Sequence, residues 1–472
     1  MRKFIRLLLP LFMALPSVVS AKDASLSMIY TNALDDQLPF AIFTKGSWRP
    51  DPKARFVKLH LYFDDPIMVK GLALDTCGTK VDPNISIFFN FDQWILRLDP
   101  SLSGEIPRAL YPKKSGGLLV FEGFEKAIEV RSLTFNFESN SGFKVCGIHL
   151  KDPQGQTYKV KTPRLISGTV EASSTLEPRT AYDPIYLFDS RFEYGWASNQ
   201  QAKDVSLKFS FNQPMRVEKV RIWNGYQRSV THCFANSRAR KIRVTGDGGY
   251  EAEITVQDVL GSQVIAMPKP FEGKDLRFEI VDSFLGKTYK DLVISEIRFF
   301  NGNEWFMLDP AQPLKDSISA NRSQFAKAKV ASLLNDSYSA QQEIKKEPYF
   351  ISSTLRLRSD GSFYMSGYIG EAGGSQYFAL GNYEIKEANE ANGLRMRLFG
   401  LYYETVVYGD CNGCGRDCNK NVTQEDGMEQ KIFQEVLTIR PAKGGKFEVI
   451  NVSGGKKIKF DKLLYEPEVN KQ

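Results

Sequence analysis

Two short polar segments in the middle of the chain carry the side chains best suited to bind a ligand. The first is Trp223-Asn-Gly-Tyr-Gln-Arg228 and the second is Asn236-Ser-Arg238. Arginine presents a planar fork of donors to hydroxyl or carboxylate oxygens, and tyrosine offers a flat ring with a polar tip. The predicted ligand-binding residues are Tyr226, Arg228, Asn236, Arg238, Asn224 and Trp223.

A purely structural role is the alternative for the same residues. Asn224-Gly225 is a typical turn dipeptide, and Asn236 and Arg238 can satisfy the carbonyl groups of a loop. The alternation of apolar residues does not assign Trp223 to either face of its strand. Both interpretations therefore stay open at the level of the sequence.

The sequence gives little indication of a catalytic site. The three histidines, His60, His149 and His232, are far apart in the sequence. No Gly-x-Ser-x-Gly motif, His-Glu-x-x-His motif or phosphate-binding loop is present. We predict a non-catalytic binding protein. The alternatives are an exported enzyme whose C-terminal β domain hydrolyses a sugar or nucleotide, and a protein–protein interaction scaffold.

The six cysteines fall into three groups. Cys77 and Cys146 lie within one proposed domain and are predicted to form a disulfide; two buried free thiols are the alternative. The triplet Cys411, Cys414 and Cys418 favours a disulfide within its loop over zinc, because structural zinc normally takes four ligands. One thiol then remains, either for Cys233 or for an intermolecular bond.

An internal repeat indicates which elements position these residues. Residues 57–74 align with residues 205–222, with identical residues at five positions that include Pro66 and Pro214. Apolar and polar residues alternate in both segments, so each segment predicts two half-buried strands joined by a turn at the proline. Two copies of one β-sandwich explain the repeat. Only the second copy carries the polar segments described above.

The second copy also has a wider series of motif residues in a characteristic order. They are Asp189, Trp196, Pro214, Asn224, Gly225, Tyr226, Asn236, Arg238 and Ile294–Ile297. This order resembles the discoidin, or coagulation-factor type C, superfamily, and more narrowly the glycan-binding translocation domain of bacterial NAD glycohydrolase toxins. The resemblance covers roughly residues 170–310 and implies a jelly-roll sandwich that binds ligands through loops at one end.

The resemblance also implies a place for a structural metal ion. Discoidin-like sugar-binding modules often hold calcium through an early aspartate and a late glutamate, and Asp189 and Glu296 match these positions. Tyr194 stands where a threonine ligand is usual, so carbonyl groups would have to supply most of the 6–8 oxygens that calcium needs. No other cofactor is expected.

The C-terminal third predicts a separate β domain. Strand patterns return after residue 349, with a hairpin turn at Asp360-Gly361 and a later one around Gly454-Gly455. Seven or eight such strands predict a small antiparallel barrel with a faint lipocalin-like glycine spacing. A segment over Ser319–Leu334 predicts a short helix in the preceding linker.

The fold class is therefore mainly β, in two discoidin-like sandwiches and a barrel. The predicted ranges are a signal peptide over 1–21, a diverged sandwich over 22–165, a glycan-binding sandwich over 170–310, a linker over 311–345 and a barrel over 346–472.

The N-terminus predicts export. Residues 1–21 combine basic residues, a short apolar stretch and small residues before a cut after Ala21. We expect a soluble protein of the bacterial periplasm, the cell surface or the medium. The net charge of +7 includes three basic residues of this segment. The remainder is near neutral, so we expect a glycan or cell-envelope ligand or a protein partner, and no nucleic acid.

Overall fold

The computed structural model describes most of the chain from Lys22 onward. The described residues are 22–31, 38–44, 46–50, 56–78, 84–90, 112–115, 117–121, 124, 126–138, 143–191, 194–199, 204–228, 230–344, 349–370, 374–407, 429–451 and 463–467. The predicted signal peptide, the cysteine triplet and the turn at Gly454-Gly455 lie outside these residues. The described residues confirm the mainly β fold class, with two sandwiches followed by a barrel.

Two sheets form the first sandwich. One contains, in spatial order, β4 (Asn84–Phe89), β7 (Ile128–Glu138), β2 (Phe56–Val69), β1 (Asp23–Thr31) and β9 (Lys159–Lys161). The other contains β5 (Pro112–Ser115), β6 (Leu118–Phe121), β3 (Gly71–Asp75) and β8 (Gly147–Lys151). A short helix, α1 (Ala41–Thr44), follows β1. The alternating residues Leu59, Leu61 and Phe63 of β2 are buried in the apolar core, as the sequence pattern predicts.

The disulfide between Cys77 and Cys146 is present, which confirms the predicted pair. Strands β3 and β8 run antiparallel with Asp75 opposite Gly147, so the end of one strand meets the start of the other. The two Cα atoms lie 5.4 Å apart, within the usual range for a disulfide. Cys233 is a buried free thiol.

The second sandwich is built around the long strand β13 (Ser206–Asn224). The main path of its strands is β10 (Arg164–Ile166), β18 (Trp305–Leu308), β17 (Val293–Phe300), β13, β16 (Ser262–Phe284), β14 (Arg238–Gly246) and β15 (Tyr250–Thr255). Two further strands, β11 (Gly168–Ala172) and β12 (Trp196–Ala197), pair with β13 and β17. The connecting segments include α2 (Arg179–Tyr182), α3 (Val230–Ala235) and 3₁₀ turns at Pro184–Phe188 and Asp247–Gly249.

The proline segments of the repeat are not turns between strands, which corrects the sequence interpretation. In both sandwiches one strand continues through the proline, and only the pairing register shifts there. The shift lies between Tyr62 and Ile67 in β2 and between Ser210 and Met215 in β13. Proline lacks a backbone donor, and a local irregularity in pairing allows it to remain in a strand.

A long helix connects the second sandwich to the barrel. It spans Ala311–Lys327 as α4 and therefore begins before the predicted Ser319. Leu314 and Ile318 pack in the core shared by the sandwiches, whereas Phe325 packs in the barrel core. The segment interpreted as a linker is thus a packed connection. A 3₁₀ turn at Ala331–Leu333 leads into the barrel.

The C-terminal domain is a closed antiparallel barrel, as predicted. Its described strands are β19 (Ser337–Ile344), β20 (Tyr349–Leu357), β21 (Ser362–Gly370), β22 (Gly374–Asn389), β23 (Gly393–Val407), β24 (Glu429–Pro441), β25 (Phe447–Asn451) and β26 (Leu463–Pro467). Each strand pairs with the next along the chain, and β26 closes the barrel on β19. A 3₁₀ turn over Lys443–Gly445 joins β24 and β25. The predicted turn at Asp360-Gly361 joins β20 and β21, with Gly361 at a φ of 85°.

The second sandwich lies between its two neighbours. Buried residues of both sandwiches form one continuous apolar cluster, and the barrel has a cluster of its own. Among the described helices, none is long and apolar enough to cross a membrane.

Candidate functional site

Trp223 and Asn224 are the last residues of β13, and the other predicted site residues follow this strand. Tyr226 and Arg228 lie at the end of the second sandwich that faces the barrel. The Arg228 guanidinium lies over the Tyr226 ring, 4.4 Å from its centroid, and Nη2 donates to the Tyr226 hydroxyl. His232 of α3 meets the Tyr226 ring edge-on, with centroids 5.7 Å apart. Tyr226 and Arg228 are each 5% exposed, so the structure brings them together but inside the protein.

The two predicted asparagines hold the backbone of this loop region. The Asn224 side chain donates to the carbonyl of Ala239 at 2.8 Å and accepts from its N–H at 3.0 Å. Asn236 Nδ2 donates to the carbonyl of His232 at 2.7 Å. The structural alternative for both asparagines therefore matches their contacts.

Arg238 also holds the backbone of this loop region in place. Its guanidinium binds both carboxylate oxygens of Asp258, at 2.6 and 2.9 Å, and donates to the carbonyls of Cys233 and Asn236. At the neighbouring Gly225, with a φ of +83°, an added Cβ would lie 2.8 Å from the Arg238 side chain. Glycine is thus needed there both for conformation and for close packing.

Trp223 lies away from the other predicted residues. It packs against Met28 of the first sandwich and is 4% exposed. The guanidiniums of Arg221 and Arg298 lie 6.0 and 5.6 Å from its ring centroid. Trp223 therefore contributes to the junction between the two sandwiches.

The hairpin turn between β20 and β21 of the barrel docks onto the second sandwich. The Tyr194 hydroxyl donates to the carbonyl oxygen of Asp360. Arg191 Nη2 lies 3.2 Å from the Asp360 carboxylate, and both side chains are 2% exposed. Asn321 of α4 donates to the carbonyl of Ser359 at 3.0 Å. A buried ion pair and neutral hydrogen bonds thus fix the turn in place.

A second set of barrel contacts covers the predicted site itself. Arg228 Nη2 donates to Oδ1 of Asn382 in β22, and the ring of Tyr182 lies 6.2 Å from that of Phe399 in β23. Burial and the charge of Arg228 lower the pKa of His232 to about 3, and a hydrogen bond with the backbone of Gly400 opposes this shift only in part. His232 is therefore neutral within this interface.

The six predicted ligand-binding side chains are consequently buried, with exposures of 1–6%. The expectation of an exposed binding loop is corrected on this point, because the barrel lies against one part of the loop region and the first sandwich lies against Trp223. Direct ligand contact by these residues stays a prediction.

Asp189 and Glu296 do lie together, as the resemblance implies, but they contact arginines. The Arg191 N–H donates to Asp189 Oδ1 at 2.9 Å and to Glu296 Oε1 at 2.8 Å. Arg298 Nη1 lies 2.8 Å from Glu296 Oε2. Burial and the neighbouring Glu296 raise the pKa of Asp189 well above its usual range.

This donor set does not fit calcium. A guanidinium already lies against the Glu296 carboxylate, whereas calcium requires 6–8 oxygens. The part of the chain that the structure describes holds no group of three or more histidine, cysteine, aspartate or glutamate residues placed to bind a metal. Structural calcium stays a prediction that this geometry does not support.

A cleft opens beside the docked turn, between the second sandwich, α4 and β22; we call it the junction cleft. It has a volume of about 610 Å³. Its walls include Arg179 from α2, Gln324 from α4, and Asn382, Glu384 and Lys386 from β22. The volume lies within the roughly 300–1,000 Å³ of small-molecule sites.

Two buried polar atoms in the wall of the junction cleft have no hydrogen-bond partner within the described residues. They are Nδ2 of Asn382 and Oε2 of Glu384. Arg228 binds the other end of the Asn382 amide, and Lys386 binds Glu384 Oε1 at 2.5 Å. An unpaired buried donor or acceptor costs about 1–3 kcal/mol. Because both residues line the cleft, these two atoms are the candidate groups for a polar contact there.

Asn382, Glu384, Arg191 and Asp360 were not predicted as site residues. The Asp360-Gly361 turn is visible in the sequence, but its docking depends on a contact between Tyr194 and Asp360 that spans 166 positions. No local spacing connects these residues, so the sequence contains no direct signal for them.

Comparison with protein families matches one part of the chain. Residues 162–300 match the family described as NAD glycohydrolase translocation F5/8 type C domain. This match confirms the resemblance predicted for the second sandwich. A search of curated proteins gives no match.

Solved structures that match parts of the chain include carbohydrate-binding modules. The family 32 module of C. perfringens NanJ, in complex with galactose, shares 15% identity and a TM-score of 0.23, covering 28% of this chain and 92% of the module. The family 32 module of Streptococcus pneumoniae EndoD shares 14% identity and a TM-score of 0.24, covering 29% and 98%.

A solved structure of a longer protein matches this chain to a similar degree. The alpha-L-fucosidase described as putative from Bacteroides thetaiotaomicron shares 15% identity and a TM-score of 0.22 over 30% of this chain. The match spans only 28% of the length of that protein.

Proposed function

We propose that this protein is an exported, non-catalytic saccharide-binding protein whose ligand occupies the junction cleft. The observation that carries the proposal is the pair of buried polar atoms without partners, Asn382 Nδ2 and Glu384 Oε2, in the wall of a cleft of suitable volume. One is a donor and the other an acceptor, which is the combination that sugar hydroxyl groups satisfy.

The position of the cleft supports the same function. It lies at the loop end of a sandwich of the F5/8 type C kind, where a rigid scaffold presents its variable segments. Arg228, a predicted ligand-binding residue, orients the Asn382 amide by binding its oxygen. In this proposal Arg228 is a positioning residue, and Asn382 contacts the ligand.

Export is supported by the disulfide. Disulfides persist in oxidising compartments and are rare in the cytosol. Cys77 and Cys146 form such a bond in the first sandwich. We place the protein in the periplasm, at the cell surface or in the medium.

The test uses the full-length protein on a glycan array that includes neutral, amino and acidic oligosaccharides, followed by titration of the strongest binder. The variant Glu384→Gln keeps the shape of the side chain and removes its charge. Because a hydrogen bond to a charged group contributes about 1.5–3 kcal/mol, we expect binding to weaken by about 10-fold or more.

The matched control is Glu390→Gln. Glu390 forms an exposed ion pair with Lys329 and lies outside the junction cleft. Its replacement is expected to leave the affinity unchanged. A folded protein that binds nothing on the array contradicts the proposed function, and equal affinity of Glu384→Gln and the wild type contradicts the site.

A further inference from the structure

A second cleft lies between the two sandwiches; we call it the sandwich cleft. Its walls come from the Asp64 and Asp65 segment of β2, from Lys219 and Arg221 of β13, and from the β17–β18 hairpin. It has a volume of about 380 Å³, within the range of small-molecule sites. None of its residues belongs to the predicted site or to the junction cleft.

Two aromatic rings contribute to the lining of the sandwich cleft. Phe300 and Trp305 are both half-buried, with ring centroids 5.1 Å apart and planes at 53°. The Lys219 ammonium lies 5.1 Å from the Phe300 centroid, and the Arg221 guanidinium lies 4.5 Å from the Trp305 centroid. Partly exposed rings held by fixed neighbours are a ready contact surface for the C–H face of a sugar.

The cleft is held in shape by contacts between the two sandwiches. Arg221 forms an ion pair with Asp64 of the first sandwich, and each side chain is 9% exposed. Met28 packs on Trp223 next to this pair. The walls are thus fixed before a ligand arrives, which lowers the entropy cost of binding.

Polar groups of both signs surround the rings. Lys161 is paired with Asp23 at 2.5 Å, and Glu304 is paired with Arg164 at 3.1 Å. Three exposed side chains lie at the rim of the cleft. Asp65 supplies a hydrogen-bond acceptor, Lys219 a donor, and the amide of Asn303 both a donor and an acceptor. This near balance of charge does not favour a strongly anionic ligand such as a nucleic acid.

We infer that the sandwich cleft is a second saccharide-binding site, separate from the junction cleft. It takes a neutral saccharide that packs one C–H face against Phe300 and Trp305 and bonds its hydroxyl groups to Asp65, Lys219 and Asn303. The two sites lie at different domain boundaries, one between the two sandwiches and one between the second sandwich and the barrel. The inference does not depend on binding in the junction cleft.

The experiment titrates the full-length protein with neutral di- and trisaccharides chosen from an array, with tryptophan fluorescence as the readout. We expect a saccharide-dependent change in fluorescence that is absent in Trp305→Phe. The variant Asp65→Ala removes an exposed acceptor and is expected to weaken binding at least 10-fold. Glu251→Ala, an exposed carboxylate of β15 outside both clefts, is the control and is expected to change nothing.

The outcomes separate the two sites. Binding that is lost in Asp65→Ala and kept in Glu384→Gln supports the sandwich cleft. Binding that is lost only in Glu384→Gln overturns this inference and leaves the junction cleft in place. If Trp305→Phe fails to fold, Asp65→Ala and Asn303→Ala decide the question, because both residues are exposed; unchanged affinity in both overturns the inference, as does the absence of any binding.

Discussion

The ion pair between Arg191 and Asp360 is expected to contribute strongly to the docking of the barrel. Nη2 and the carboxylate lie 3.2 Å apart, and both side chains are 2% exposed. Replacing Arg191 by alanine leaves a buried carboxylate that keeps its hydrogen bonds from Ser362 but loses its counter-ion. Loss of one partner of a buried pair costs about 3–5 kcal/mol, so we expect a free-energy loss of that size in Arg191→Ala.

Urea denaturation measures this loss. Because the pair joins two domains, the barrel and the second sandwich are expected to unfold together in the wild type and in separate transitions in the variant. Arg179→Ala is the matched control. Arg179 forms an ion pair with Asp183 at 2.9 Å, in which the two side chains are 66% and 29% exposed, respectively. Exposed pairs of this i,i+4 kind contribute less than about 0.5 kcal/mol to stability.

A double-mutant cycle tests the reasoning directly. Asp360→Ala alone leaves Arg191 buried without its carboxylate, and the double variant removes both charges. We expect the sum of the two single-variant losses in unfolding free energy to exceed the loss in the double variant. Each single change leaves one buried charge without its partner, whereas the double variant leaves none. The reasoning is refuted if Arg191→Ala costs no more than Arg179→Ala, or if the two single losses simply add.

Two further predictions concern buried titratable groups. Burial raises the pKa of Cys233 to about 12, so we expect iodoacetamide to leave this thiol unmodified in the native protein at pH 8 and to modify it after unfolding, as peptide mass analysis would show. The pKa of His232 is lowered to about 3, whereas it is about 6.5 in the unfolded chain, so only the unfolded chain takes up this proton between those values. The contribution of neutral His232 to the stability of the folded protein is complete above pH 6.5 and declines on acidification. We therefore expect His232→Gln to reduce the fall in the urea midpoint between pH 7 and pH 4.5. An unchanged fall would contradict the lowered pKa of His232.

The sequence predicted the elements whose signal is local. Alternating residues such as Leu59 and Leu61 identify β2, and the turn at Asp360-Gly361 identifies a hairpin of the barrel. The Cys77–Cys146 disulfide was also predictable, because its residues end and begin two neighbouring strands of one sheet. In each case the determining pattern lies within one domain.

The candidate site was less predictable because its environment comes from other domains. Arg228 has the residue type and position of a ligand-binding side chain, but its partner Asn382 lies 154 positions away in the barrel. Trp223 continues a strand toward the first sandwich, which the alternation of one segment cannot reveal. Residue type predicted the capacity of these groups to bind, and only the domain arrangement shows what they contact.

The comparison of the two sandwiches explains why the predicted ligand-binding residues contact other domains. Both contain the repeated segment of residues 57–74 and 205–222, and we expected the additional polar residues of the second to serve a ligand. In the structure Arg228 binds the barrel through Asn382, and Trp223 binds the first sandwich through Met28. The second sandwich contacts a domain on each side, and its additional residues include those that make these contacts. The junction cleft and the sandwich cleft, which we propose as ligand sites, lie at the borders of these two interfaces.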